Sequence, residues 1–290
     1  MRDVHPLPGA DHLVDGVRLH VVHHGAGPGQ PILFLHGIPT SSYLWRDVQR
    51  DLEHTHRTYA VDLLGLGASE RPPGGRYDLA SQAGLLVGLL DELGLDQVAV
   101  VGHDLGGVAA VHLAALAPDR VAALVLLDAP LHADVWPVAA VSSLMPPLLG
   151  EAQTSLLRLV PGLGRHYLAR QLGRGVVSGE VDRAVLDRYV GALLTRDGTR
   201  GLLSLVRALD PTAAESALRM VAVEPPPTLV LWGEDDAWHS AAYGRRLAGD
   251  IPGACWVPVP DAGHLLPEDR PERVAEEIEG FLAEAVARTA

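Results

Sequence analysis

Residues 97–113, QVAVVGHDLGGVAAVHL, constrain the fold more than any other stretch of this chain. The segment opens as a run of β-branched and small apolar residues, passes through Gly102-His103-Asp104-Leu105-Gly106, and continues apolar with helical spacing. A buried strand that turns at once into a buried helix pushes the residue at the turn, Asp104, outward at the helix N-terminus. Gly102 and Gly106 are needed there because only they let the two backbones approach closely. Asp104 as a plain helix N-cap is the alternative, but a cap has no need of both flanking glycines.

The rest of the chain repeats this strand-then-helix grammar. PILFL (31–35), TYAV (58–61), VAALVLL (121–127) and PTLVLW (227–232) join QVAVVG (97–102) as short, almost wholly apolar runs, as expected of strands covered on both faces of a parallel sheet. Residues 17–23 read as an antiparallel strand in an edge hairpin. Residues 79–93, 106–116 and 271–287 carry helical apolar periodicity. The class is therefore α/β, with a mostly parallel sheet flanked by helices. Residues 132–223 differ: they hold Pro137, Pro146, Pro147 and Pro161, helical stretches such as 181–194, and no clear strand. This predicts a core of 1–131 and 224–290 with a helical cap, 132–223, inserted over the carboxyl end of the sheet, where open α/β sheets bind ligands.

Composition removes several function classes. A net charge of −13 argues against nucleic acid and anionic membrane partners, which need a basic footprint. All 23 basic residues are Arg, so lysine nucleophiles and Schiff bases are excluded. The single cysteine, Cys255, lies in an apolar run and reads as a buried strand thiol. No apolar run reaches the roughly 20 residues that span a bilayer. Residues 1–16 lack the apolar stretch of a signal peptide, and a cytoplasmic enzyme of bacterial type is expected.

An aspartate at the elbow selects the chemistry. Attack of a carboxylate on an ester carbonyl would give an anhydride and gain nothing. Attack on an sp³ carbon gives an alkyl ester that water can cleave, so an oxirane or a halide suits Asp104. The second step needs a base, and His264 in VPDAGH (259–264) follows the last apolar strand. LWGEDD (231–236) ends another strand and supplies a carboxylate to orient His264; the spacing favours Asp236 over Asp235, with Asp128 as a weaker substitute. Backbone N–H groups of Ile38, in HGIP (36–39), and of Leu105 would form an oxyanion hole. Pro39 is a candidate cis proline. No metal or organic cofactor enters this chemistry.

Four motifs in this order, HGIPTSSYLWRDV (36–48), DLLGLGASERP (62–72), VGHDLGG (101–107) and PDAGHLLPEDRPE (260–272), resemble the α/β-hydrolase superfamily, and within it the epoxide hydrolase and haloalkane dehalogenase group. The resemblance covers nearly the whole chain outside the cap. It implies an α/β-hydrolase fold and the triad Asp104, His264 and Asp236. Haloalkane dehalogenases usually have Trp after the nucleophile and Asn after the His-Gly pair, as halide ligands; here those places hold Leu105 and Ile38. Fluoroacetate dehalogenases place an Arg after the nucleophile, where Leu105 stands. Epoxide hydrolases protonate the opening ring with cap tyrosines, and the insertion holds Tyr167 and Tyr189, which could also pack as amphipathic cap residues. Their usual aromatic residue after the nucleophile is missing here too.

Trp136 is a candidate halide ligand or a hinge filler, and Trp238 a neighbour of the acid loop. Ile38, Leu105 and Leu265 suggest a pocket for a small hydrophobic substrate. The leading expectation is an epoxide hydrolase-like enzyme working through an Asp104 ester. The alternatives are a dehalogenase with altered halide ligands, a specialised biosynthetic hydrolase or cyclase, and a non-catalytic ligand receptor, which would need neither Asp104 nor His264.

Overall fold

Alternation along each strand sorts the apolar residues onto the two faces of one sheet. Leu33, Leu35, Val98, Val100, Leu124 and Leu126 pack into one core cluster. Their neighbours Ile32, Phe34, Ala99, Val101, Val125 and Leu127 pack into another. The computed structural model describes residues 8–136 and 139–289, so the cap proline Pro137 and the first seven residues lie outside it.

Eight strands form the sheet: β1 (Gly9–Val14), β2 (Val17–His24), β3 (Ile32–Leu35), β4 (Thr58–Val61), β5 (Val98–His103), β6 (Val121–Leu127), β7 (Thr228–Gly233) and β8 (Cys255–Val259), in the order β1-β2-β4-β3-β5-β6-β7-β8. From β4 to β8 all pairs are parallel, while β2 pairs antiparallel with β1 and β4. The expected strand 17–23 is thus present and antiparallel, but β1 is the edge. The turn between them is Asp15-Gly16, both at positive φ (50° and 79°), the dipeptide that closes two-residue hairpins. That signal was legible in the sequence, although the charged, exposed face of β1 hid the strand itself. Cys255 opens β8 and is free and half-buried rather than fully buried.

Helices cover both faces. On the first lie α2 (Leu79–Glu92), α3 (Leu105–Leu116) and α10 (Ala241–Asp250); on the second lie α1 (Arg46–Asp51) and α12 (Pro271–Thr289), with the short α11 (Leu266–Asp269) leading into α12. Asp78 caps α2 by accepting the Ser81 N–H at 2.8 Å. Helix α3 is apolar on every side and is buried accordingly.

Between β6 and β7 run α4 (Ala139–Ser142), α5 (Pro147–Leu159), α6 (Pro161–Gly173), α7 (Arg183–Leu193), α8 (Arg196–Arg207) and α9 (Pro211–Val221), with no strand among the described residues. Part of this insertion has its own small core, in which Leu172, Val176, Val185, Leu186 and Val190 surround Tyr189. Its later helices also reach the main core: Leu202, Leu205 and Val206 of α8 join it, as do Ala214, Ala217, Leu218 and Val221 of α9, which packs on α3. Among the described residues no helix is long and apolar enough to cross a membrane.

Candidate active site

Asp104 sits between β5 and α3 with φ 51° and ψ −122°, backbone that a non-glycine residue adopts only under constraint. The constraint is visible. Its N–H donates to Leu127 O at 3.0 Å, and its C=O accepts from Gly107 and Val108 in the first turn of α3. Gly106 lies so close to the Leu35 and His36 carbonyls that any side chain there would collide with backbone. Gly37 is equally tight, since a Cβ would fall on the Asp104 carboxylate itself.

That carboxylate is buried, with 6% of the residue exposed. Oδ2 accepts the Ile38 N–H at 3.0 Å, and the Leu105 N–H also donates to the group. One of the two amides expected to form the oxyanion hole thus bonds Oδ2, while Oδ1 lies on the side of His264. Burial pushes the Asp104 carboxyl up from its ordinary value, against the opposing pull of His264 and the two amides. The Ile38–Pro39 peptide is cis. His36 holds this loop to the sheet: its Nδ1–H donates to Gly37 O at 2.8 Å, and its Nε2 accepts the Leu63 N–H at 3.0 Å.

His264 completes the line. Its Nδ1 lies 2.9 Å from Asp236 Oδ2, and its Nε2 lies 4.0 Å from Asp104 Oδ1, too far for a hydrogen bond. Nε2 has no hydrogen-bond partner among the described residues. Asp236 is aimed by its other oxygen, which accepts the N–H groups of Trp238 (2.7 Å) and His239 (3.0 Å). Burial opposes ionisation of Asp236, but His264 and these bonds outweigh it and hold the carboxyl below its ordinary value. Burial likewise opposes charge on His264; Asp236, its hydrogen bond and Asp104 overcome it and push the imidazole up to about 9.

Asp128 does not bond to His264. Its Oδ1 accepts the Gly233 N–H at 2.9 Å and its Oδ2 has no partner. Burial first, and Asp236 second, raise its carboxyl well above the ordinary range, so Asp128 keeps its proton. Geometry and charge both leave Asp236 as the residue that orients His264.

The free edge of Asp104 faces an apolar cavity of about 160 Å³ between the strand ends and the insertion. Ile38, Leu105 and Pro130 form its core wall, and Val141, Leu144 and Leu168 face them from the insertion. Leu265, expected at the pocket, instead packs with the insertion's small core. Tyr167 lines the cavity. Tyr189 does not: it is 2% exposed, and its hydroxyl donates to Glu268, which also takes a bidentate grip from Arg46 at 2.7 and 2.8 Å. The expected pair of cap tyrosines is thus reduced to one. Trp136 also lines the cavity, but its indole N–H donates to Pro130 O and is unavailable to a halide. Trp238 stacks on His264 with ring centroids 4.5 Å apart, which fits its expected place beside the acid loop.

Four functional candidates escaped the sequence reading. His103 donates to His264 O at 2.7 Å and is pushed down to about 3, chiefly by burial, so it positions the base loop as a neutral ring. His239 lines the cavity and is pushed down to about 4, again chiefly by burial. Gln171 and Arg174 line it from α6 and its C-terminal cap. Only His103 had a local signal, its place beside Asp104 in the turn; the others depend on helix register.

The α/β-hydrolase fold family matches residues 30–271, and the chain belongs to that family. Its relatives place it further, in the epoxide hydrolase and haloalkane dehalogenase group. Haloalkane dehalogenase 2 of Mycobacterium bovis is 33% identical over 271 residues, covering 90% of each chain. Epoxide hydrolase A of Mycobacterium tuberculosis is 31% identical over 316 residues, covering 94% of this chain and 97% of its own. The structure of the haloalkane dehalogenase DbeA from Bradyrhizobium elkani superposes with a TM-score of 0.83 at 25% identity, covering 97% of this chain and 99% of that one. The protein is a hydrolase.

Proposed function

We propose that this hydrolase opens epoxides of small hydrophobic molecules through a covalent ester on Asp104. The observation that carries the reading is the division of polar groups around the nucleophile. Asp104 and Tyr167, the latter 36% exposed, line the same cavity, while the Trp136 indole is committed to a backbone carbonyl. An opening oxirane needs a proton at its oxygen; a departing halide needs N–H ligands.

In the first step Asp104 Oδ1 forms a bond to an oxirane carbon as the ring C–O bond breaks. Tyr167 gives its proton to the emerging alkoxide, a far stronger base than phenolate. In the second step water attacks Cγ of the ester and His264 Nε2 takes its proton. The Ile38 and Leu105 N–H groups hold the tetrahedral oxyanion, and Asp236 stabilises the imidazolium. Collapse returns that proton to the departing alkoxide and releases a diol. The acid left on Asp104 loses its proton, and Tyr167 regains one through solvent.

Charge explains why a histidine near pKa 9 can be the base. Alkylation neutralises Asp104, one of the carboxylates that raise His264. The imidazole's pKa then falls, and it gives up its proton just when the ester must be hydrolysed.

A second reading, halide displacement by the same Asp104, is favoured by the 33% identity to a haloalkane dehalogenase and by the Trp238 ring in the cavity wall. Steady-state assays with a panel of terminal epoxides and 1-haloalkanes separate the two. Diol formation from epoxides without halide release supports the proposal. Halide release with no diol refutes it in favour of the second reading.

A further inference from the structure

Tyr167, Gln171 and Arg174 stand at i, i+4 and i+7 along α6 and its cap, a spacing that puts them on one helix face, and all three line the cavity. Among the described lining residues Arg174 is the one permanent cation, since His239 is held neutral. Arg174 is exposed at the rim, and no hydrogen bond or ion pair engages its guanidinium among the described residues. Four other arginines of the insertion, Arg165, Arg200, Arg207 and Arg219, are paired with Asp187, Asp197, Glu151 and Glu215.

Charge along the chain supports the same point independently. The insertion, 132–223, carries ten Arg against eight acidic residues, while the remainder carries 13 Arg against 28. Residues 152–179, which contain α6, include four Arg and no Asp or Glu. An anion approaching a protein of net charge −13 thus meets its least repulsive surface over the cavity.

We propose that Arg174, with Gln171 beside it, forms an anion subsite at the rim that selects substrates bearing a carboxylate remote from the reacting carbon. The planar guanidinium fork matches a carboxylate in two parallel hydrogen bonds, and the Gln171 amide offers a further donor. Seven residues of helix separate Tyr167 from Arg174, a rise of about 10 Å. Under the epoxide reading, an oxirane beside Tyr167 and a carboxylate beside Arg174 would be joined by a medium-length apolar chain. The identity of the reactive end rests on the epoxide reading above; the subsite does not.

The test compares an ω-epoxy medium-chain carboxylate with its primary amide on wild-type, Arg174→Gln and Arg174→Lys protein. In the wild type kcat/KM should favour the carboxylate by about tenfold or more, as expected for a charge-assisted bidentate contact. Arg174→Gln should bring the ratio near one, mainly through KM, and Arg174→Lys should keep part of it. Equal use of acid and amide by the wild type, or an undiminished ratio in Arg174→Gln, overturns the subsite. If neither epoxide reacts, the epoxide reading falls, and calorimetric binding of octanoate against octanamide still decides the subsite. Tighter binding of octanoate to wild type but not to Arg174→Gln supports it, and equal binding to the wild type overturns it.

Discussion

Replacing each insertion tyrosine by phenylalanine should give opposite outcomes, although the sequence places both in the same cap. Tyr189 is 2% exposed and donates to Glu268, whose carboxylate is also held by Arg46 at 2.7 and 2.8 Å. Burial, with Glu268 next, pushes the Tyr189 phenol well above its ordinary value, so it remains a donor at every working pH. Tyr189→Phe removes one hydrogen bond to a charged acceptor, about 1.5–3 kcal/mol, and leaves little void. Because Arg46 still satisfies Glu268, the low end applies, and melting should fall by a few degrees. Turnover should stay within about threefold, because the hydroxyl faces Glu268 and not the cavity. Tyr167→Phe should do the reverse: melting nearly unchanged, with epoxide turnover falling about 100-fold, the lower bound for losing a general acid. Differential scanning fluorimetry and initial rates of diol formation on both variants measure this. Equal rate losses in the two, or an unimpaired Tyr167→Phe, would refute the assignment.

Other expectations follow from the buried charges and the tight turn. Asp236→Asn should lower turnover by about 10³–10⁴-fold by losing the group that orients His264, whereas Asp128→Asn should change it only a few-fold. Asp128 also sets a pH dependence. The folded protein keeps its proton while the unfolded chain ionises near 3.8, so the wild type loses stability as pH rises above that value. Asp128→Asn removes this loss, and its advantage in chemical denaturation should be larger at pH 7 than at pH 4. His264 titrates at about 9 when folded and near 6.5 when unfolded, so its contribution is complete below 6.5 and disappears as pH rises through 9. Denaturation midpoints of the wild type should fall across that window, and His264→Gln should flatten the fall. Gly37→Ala places a Cβ on the Asp104 carboxylate and should cost about 1–3 kcal/mol with near-complete loss of turnover.

Where local chemistry settles a position, the sequence was sufficient. Asp104, Asp236 and His264 lie one, three and five residues past the ends of β5, β7 and β8, and those ends are fixed by the parallel sheet. The strands themselves were legible because both faces are buried, which leaves uninterrupted apolar runs such as Leu124–Leu127. The insertion was legible only as helical. Which face of α6 or α7 meets the cavity depends on register and on partners far away in sequence. Tyr189 is drawn off by Glu268, 79 residues on, and Trp136 by Pro130, neither of which periodicity could indicate. Helix α9 reads like its neighbours, and only its tertiary contacts show that it packs on α3.

The covalent ester proposed on Asp104 is open to direct observation. His264→Gln removes the imidazole that faces Asp104 Oδ1 and should stall the second step. Incubated with a hydrophobic terminal epoxide, the variant should gain the full mass of that epoxide, and proteolytic mapping should find it on Asp104. A plain alkyl adduct formed only with haloalkanes would move the reaction to halide displacement. No adduct from either class, or an adduct on any residue but Asp104, would contradict nucleophilic attack by this aspartate.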